Sequence, residues 1–249
     1  MAGHSKWANI KHRKARQDAV RGKAWSKCSR AIIVAAKNGG GDPDTNLTLR
    51  YAIEEAKAVN MPKDTIAKAI KKGSGELAAG ESYEEIRYEG YGAGGVAIIV
   101  DCLTDKVQRT APEMRRIFEK AGGNLGKPGA VAFGFNQKGL IAIEADKTTE
   151  DQLMEIALEA GAEDITDSDG VWEVTTDVPD FISVKEAIEE AEIEMQSAEI
   201  TMIPLNTVAC DEATAQKVMR LIEELEDHDD VQKVHTNADI PDEVMEKLA

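Results

Sequence analysis

The spacing of apolar side chains changes period partway along the chain. Val20, Ala24, Cys28, Ala31, Ile32 and Ala35 recur at three- and four-residue steps. They predict a helix from about Arg16, ended by Asn38-Gly39-Gly40-Gly41-Asp42-Pro43. Leu49, Ala52, Ile53, Ala56 and Val59 predict a second helix from about Asn46 to Val59. An Asn60-Met61-Pro62 turn follows, with Asn60 placed to cap a third helix that buries Ile66, Ala69 and Ile70 and runs to Lys72. After Gly73-Ser74-Gly75 the helical period is lost. Strands are expected over Ser82–Tyr91, Val96–Leu103 and Val131–Phe135, with a helix near Ala111–Ala121 and a loop over Gly122–Gly129.

Residues 139–203 give the cleanest order. Strand Gly139–Glu144 precedes a helix with a Thr149…Gln152 capping box. Strands Glu163–Thr166 and Val171–Thr176, a helix near Asp180–Ala191 and strand Ala198–Ile203 complete a ferredoxin-like βαββαβ unit. The closing helix (Asp211–Glu226) and strand (Val231–His235) are too small to stand alone, so they are expected to complete the α/β half at 82–135. The fold class is therefore multidomain α and α+β. A basic arm with a three-helix domain spans 1–76, and a discontinuous α/β domain spans 77–136 and 205–249. An acidic ferredoxin-like domain, 137–204, is inserted between its parts.

Charge sharpens this division. The 249 residues carry −16, yet residues 1–72 hold 16 Lys and Arg against 6 acids, and residues 73–249 hold 14 against 40. Ten of the first 37 residues are basic and only Asp18 is acidic. A block of like charge repels itself unless an anionic partner is present, and nucleic-acid phosphate is the commonest such partner. Residues 1–15 lack apolar periodicity, which predicts an arm that orders on binding. Arg16, Lys23, Arg30 and Lys37 recur every seven residues beside Lys27, without acidic partners one turn away. The candidate contacts are thus His4, Lys6, Trp7, Lys11, His12, Arg13, Lys14, Arg16, Arg21, Lys23, Lys27 and Arg30, with Trp7 suited to stacking on a base.

A second basic window runs from Lys106 to Lys127; its candidates are Arg109, Arg116, Lys120 and Lys127, with a plain solvated surface as the equal alternative. The third helix offers only lysines and Thr65, so reading base edges from it is the weaker option. Residues 138–203 hold 3 Lys and Arg against 19 acids; this part would not sit on phosphate and could shape a gap or contact basic proteins, while the two α/β domains together would orient tRNA or nascent chain.

Other chemistry finds little support. Cys28, Cys102 and Cys210 are far apart and form no C-x-x-C, which suggests reduced core thiols in a cytosolic protein. The four histidines show no ligand spacing with them, and no metal or cofactor is expected. Gly90-Tyr91-Gly92-Ala93-Gly94-Gly95 fits G-x-G-x-x-G, but a strand follows where a dinucleotide site needs a helix, so a glycine-rich hairpin is expected. No small-molecule substrate, membrane span or catalytic motif is indicated, and the residues point to a non-enzymatic binding protein.

The opening MAGHSKWAN with His12-Arg13-Lys14 resembles the signature of the YebC family. So do Gly39-Gly40-Gly41-Asp42-Pro43, Tyr88-Glu89-Gly90-Tyr91-Gly92, Gly122-Gly123-Asn124-Leu125-Gly126, Glu159-Ala160-Gly161-Ala162-Glu163-Asp164 and Met202-Ile203-Pro204. The resemblance starts at Met1, which implies that the arm is mature sequence. Ala93 stands where the family more usually has Pro, and Gln108-Arg109-Thr110 where Asn-Arg-Thr is usual; neither change removes charge. The resemblance implies a helical domain plus two α/β domains, the third inserted into the second. It also implies control of gene expression through nucleic acid, with the target open. Bacterial members are commonly described as DNA-binding transcriptional regulators, whereas others bind ribosomes and relieve stalling at proline-rich stretches. The flexible Lys/Arg arm favours the rRNA reading.

Overall fold

A computed structural model describes residues 18–77, 83–168 and 170–248. Helices α1 (Asp18–Gly39), α2 (Leu47–Ala58) and α3 (Lys63–Gly73) enclose Ile32, Ile33, Ala35, Ala36, Leu49, Ala52, Ala56, Met61, Ile66 and Ala69. Asn46 joins two of them. Its Oδ1 accepts from Leu49 N at 3.1 Å and caps α2, while its Nδ2 donates to Ala35 O and Gly40 O, both at 2.8 Å, at the end of α1. At Gly73 a Cβ would lie 2.4 Å from Ile33 O, so α3 reaches α1 at backbone distance.

Asn60 does not cap α3, which starts after Pro62 without a side-chain cap. It adopts a left-handed φ of 56° and closes α2 instead. Asn60 N donates to Lys57 O and Met61 N to Ala56 O, each at 2.9 Å, a Schellman arrangement with buried Met61 as its apolar contact.

The first sheet has the order β3-β1-β2-β9, built from β1 (Glu84–Tyr91), β2 (Ala97–Thr104), β3 (Asn124–Leu125) and β9 (Val231–Thr236). β1 and β2 form an antiparallel hairpin, closed by Gly94 and Gly95 at left-handed φ. No dinucleotide-type helix follows these glycines. The third strand is Asn124–Leu125, within the expected loop, and of Val131–Phe135 only Phe135 is in a strand, as the first residue of a longer one. Ala132–Gly134 form a 3-10 turn, because the backbone just before them is held by a side chain, Glu89, instead of a neighbouring strand. Helix α4 (Val107–Lys120) starts a turn before Pro112, earlier than expected. Proline favours a helix's first turn, but here the preceding turn is fixed by Thr110, whose hydroxyl donates to Lys106 O at 3.2 Å.

The second sheet comprises β4 (Phe135–Glu144), β5 (Ala162–Asp167), β6 (Val171–Thr176) and β7 (Ser197–Pro204), with helices α5 (Glu150–Glu159) and α6 (Phe181–Glu190) in its crossovers. The order β5-β6-β4-β7, antiparallel throughout, is that of a ferredoxin-like fold, and it lies between β3 and β9 in the chain. The remaining elements are β8 (Val208–Ala209), α7 (Glu212–Glu226), β10 (Ala238–Asp239) and α8 (Asp242–Leu248), with β8 and β10 paired in parallel.

The described residues divide into two compact units. One contains Ala132–Glu212 and the chain from His235 onward; the other contains the chain through Val131 together with Ala213–Val234. His235 is buried in the first, its Nδ1 lying 3.2 Å from Thr201 Oγ1. Among the described residues no helix is long and apolar enough to cross a membrane.

Candidate nucleic-acid interface

The basic stripe of α1 faces the end of α7. Lys23 Nζ donates to Asp227 Oδ1 and, at 3.1 Å, to Asp227 O; Lys27 Nζ donates to Glu226 O at 2.8 Å. Arg30 donates to Asp229 O, lies 3.5 Å from Asp230 Oδ1, and stacks 5.5 Å above the ring of Tyr83. The last carbonyls of a helix have no partner within it, and its C-terminus carries partial negative charge. Lys27 and Lys23 bond carbonyls at the end of α7, and Arg30 adds its charge just beyond it. Their partners, carboxylates and backbone carbonyls, lie some 200 residues away in sequence, which is why no partner was visible one turn along α1.

Asp230 is the centre of this contact. It is 3% exposed, and its Oδ2 accepts from Arg109 Nη2 at 2.7 Å, Thr110 Oγ1 at 2.8 Å and Thr104 Oγ1 at 3.1 Å. Burial pushes its carboxyl pKa upward, but the hydrogen bonds from Arg109, Thr110 and Thr104 outweigh burial and leave it below the ordinary value. Arg109 also holds Asp105 at 2.9 Å, and its pKa is raised, first by its bond to Asp230 and then by Asp105. Asp230 N donates to His228 Nδ1 at 3.1 Å, leaving His228 Nε2 to donate to Glu113 Oε2 at 2.9 Å.

The rest of the second basic window divides in two. Lys120 is tied to Glu224 at 2.8 Å. Arg116 and Lys127 are exposed and make no ion pair among the described residues, as is also true of Lys106 and Arg115. Lys127 sits on a loop fastened by Glu89, whose side chain the sequence did not single out. Glu89 is 5% exposed; Oε1 accepts from Gly129 N at 2.7 Å, Oε2 from Val131 N at 2.8 Å, and its carbonyl from Gly126 N at 2.7 Å. Tyr91 Oη adds a bond to Ala130 O at 2.9 Å. At Gly123 a Cβ would lie 2.3 Å from Tyr91 O, so only glycine allows this loop to lie against β1. A carboxylate inside a strand next to the glycine-rich hairpin was the available signal.

Of the sequence candidates, Lys23, Lys27, Arg30 and Arg109 are gathered around residues 226–230, while Lys120, Arg116 and Lys127 are not part of that cluster. His4, Lys6, Trp7, Lys11, His12, Arg13, Lys14 and Arg16 lie outside the described residues, and for Arg21 only its place in α1 is described. The acids around Asp230 form no group that could hold a metal ion; among the described residues there is no such group.

Comparison with known proteins fits both halves of the chain. Residues 5–76 match the TACO1/YebC N-terminal domain, and residues 83–238 match the TACO1/YebC second and third domain. The chain belongs to the TACO1/YebC family. Two relatives named "Probable transcriptional regulatory protein" align end to end with this family member. One, from Dictyoglomus turgidum, is 55% identical over 100% of both chains. The other, from Natranaerobius thermophilus, is 56% identical over 99% of both. A crystal structure described as a conserved hypothetical protein, Aq1575 from Aquifex aeolicus, superposes with a TM-score of 0.82 at 48% identity, covering 95% of this chain and 98% of the other. The matched regions therefore take in the three N-terminal helices and both four-stranded sheets.

Proposed function

We propose that this family member is a non-enzymatic regulator of gene expression that binds nucleic acid through backbone phosphates. The reading rests most on the end-to-end likeness to relatives named for transcriptional regulation. That name favours duplex DNA as the target. The contacts come from the arm (His4, Lys6, Trp7, Lys11, His12, Arg13, Lys14, Arg16), from Arg21, and from the exposed Arg116 and Lys127. Lys23, Lys27, Arg30, Arg109 and Lys120 serve first to hold the fold around them. The working division is 1–76, 77–136 with 205–249, and 137–204; the acidic insert turns towards basic proteins, and the cytoplasm is the working compartment.

A second reading, a translation factor on rRNA, is favoured by a different observation. α3 carries lysines and Thr65 and none of the Arg, Asn or Gln side chains that pair bidentately with base edges. The full chain is to be tested against genomic duplex fragments and against ribosomes on a gradient. Selective retention of one duplex sequence supports the transcriptional reading. Ribosome comigration supports the translational one, and replacing Lys11, Arg13, Lys14 and Arg16 by Gln should then lower the salt slope of binding by roughly 3, at about 0.7 per phosphate. Binding to neither target overturns both readings.

A further inference from the structure

The cations of α1 and those of α3 differ in one respect that decides what each can bind. Lys23, Lys27 and Arg30 already hold carboxylates or helix-end carbonyls. Lys63, Lys68 and Lys71 are exposed and Lys72 is half-buried; none of the four side chains makes a hydrogen bond or ion pair among the described residues. The opposite face of α3, Ile66, Ala69 and Gly73, is committed to the core and to α1, so the helix cannot rotate its lysines away from solvent. Asp64 is its one acid and makes no ion pair, and Ala67 between the lysines is exposed and small.

We propose that α3 carries a phosphate-binding face made of Lys63, Lys68, Lys71 and Lys72, which holds the backbone of duplex nucleic acid without reading its sequence. The stretch from Lys63 to Lys72 covers about 14 Å of helix, which faces about four phosphates of one strand at 3.4 Å each. Lys68, Lys71 and Lys72 stand three and four residues apart and so project to one side. Lysine is a point charge on a flexible stem and matches phosphate at varied geometry, whereas base recognition needs planar, bidentate groups. A cation with no partner loses only water on binding. Each cation of α1 must also leave a carbonyl or carboxylate behind.

The inference rests on the reading that this chain binds nucleic acid, and the test separates the two. The full chain, a K63Q/K68Q/K71Q/K72Q variant and a K23Q/K27Q/R30Q variant are titrated against mixed-sequence duplex DNA and the same-sequence duplex RNA over a range of salt. The α3 variant should keep the parent melting temperature and lose about 3 from the slope of log K against log salt, equally for unrelated sequences. The α1 variant should keep the slope and melt earlier. A loss confined to DNA or to RNA supports the face and assigns its source. A parent-like slope in the α3 variant, or a loss confined to one sequence, overturns it. If the parent chain binds neither duplex, this inference is overturned, while the nucleic-acid reading stands or falls on the genomic fragments and the ribosomes.

Discussion

Asp230 shows how much of this fold can depend on one side chain. It is buried, it accepts from two threonines and an arginine, and it joins α4 to the segment after α7. Its pKa is lowered in the folded state, so its contribution is present above the unfolded value of about 4 and is lost as pH falls through the lower, folded value. Asp230→Asn should cost about 2–3 kcal/mol, the lower part of the range for a broken buried pair, because the Arg109 head group is partly in water. Urea unfolding at neutral pH measures the loss, and repeating it below about pH 4 should show the gap between parent and variant closing. Glu89→Gln replaces one of two acceptors with a donor facing a backbone N–H. About 2 kcal/mol of stability should go, with faster amide exchange at Gly129 and Val131. The three thiols were legible as core residues: burial pushes Cys28 up to about 11 and Cys102 up to about 12, values unsuited to a nucleophile at neutral pH. Asp230 and Glu89 were not legible, since acids are common in this chain and only tertiary contact singles two of them out.

At the level of elements, period and capping chemistry carried the reading well where the partners are local. Thr149 accepts from Gln152 N at 3.3 Å at the start of α5, as the spacing implied, and Val218, Met219, Ile222 and Leu225 of α7 all face inward. It failed where a distant group decides. The segment before Phe135 is straightened into no strand because Glu89 holds it, and the first turn of α4 forms ahead of a proline because Asp230 and Thr110 fix it. Asn46 offers a test that separates capping from bridging. Asn46→Asp keeps an oxygen for Leu49 N but removes the two donors to Ala35 O and Gly40 O. Both Asn46→Asp and Asn46→Ala should therefore destabilise by roughly 2 kcal/mol or more, although Asp and Asn cap equally well in isolation. At Asn60, Asn60→Gly should be nearly neutral and Asn60→Ala should cost about 1 kcal/mol, because only the former accepts the left-handed backbone freely. Thermal melts of the two variants check this.

For the whole molecule, charge was the most legible property and also the most easily misread. The partition between a basic start and an acidic remainder was visible, but not that Lys23, Lys27 and Arg30 of α1 have partners among residues 226–230. Residues 138–203 hold only Lys138, Lys147 and Lys185, and each grips a carboxylate: Glu163 with Asp177, Glu194 and Glu189. Three cations cannot balance nineteen acids, so adding salt should raise the melting temperature by screening this repulsion, as calorimetry would record. The position of β9 beside β2 has a consequence in time. A ribosome making this chain produces β2 about 125 residues before its neighbour, an interval of about 6–25 s at 5–20 residues per second. Through that interval one edge of β2 has no strand beside it, and Thr104, Thr110 and Arg109 have no Asp230 to meet. The contiguous βαββαβ unit can close first, so the order of synthesis makes the part begun earlier the part finished last.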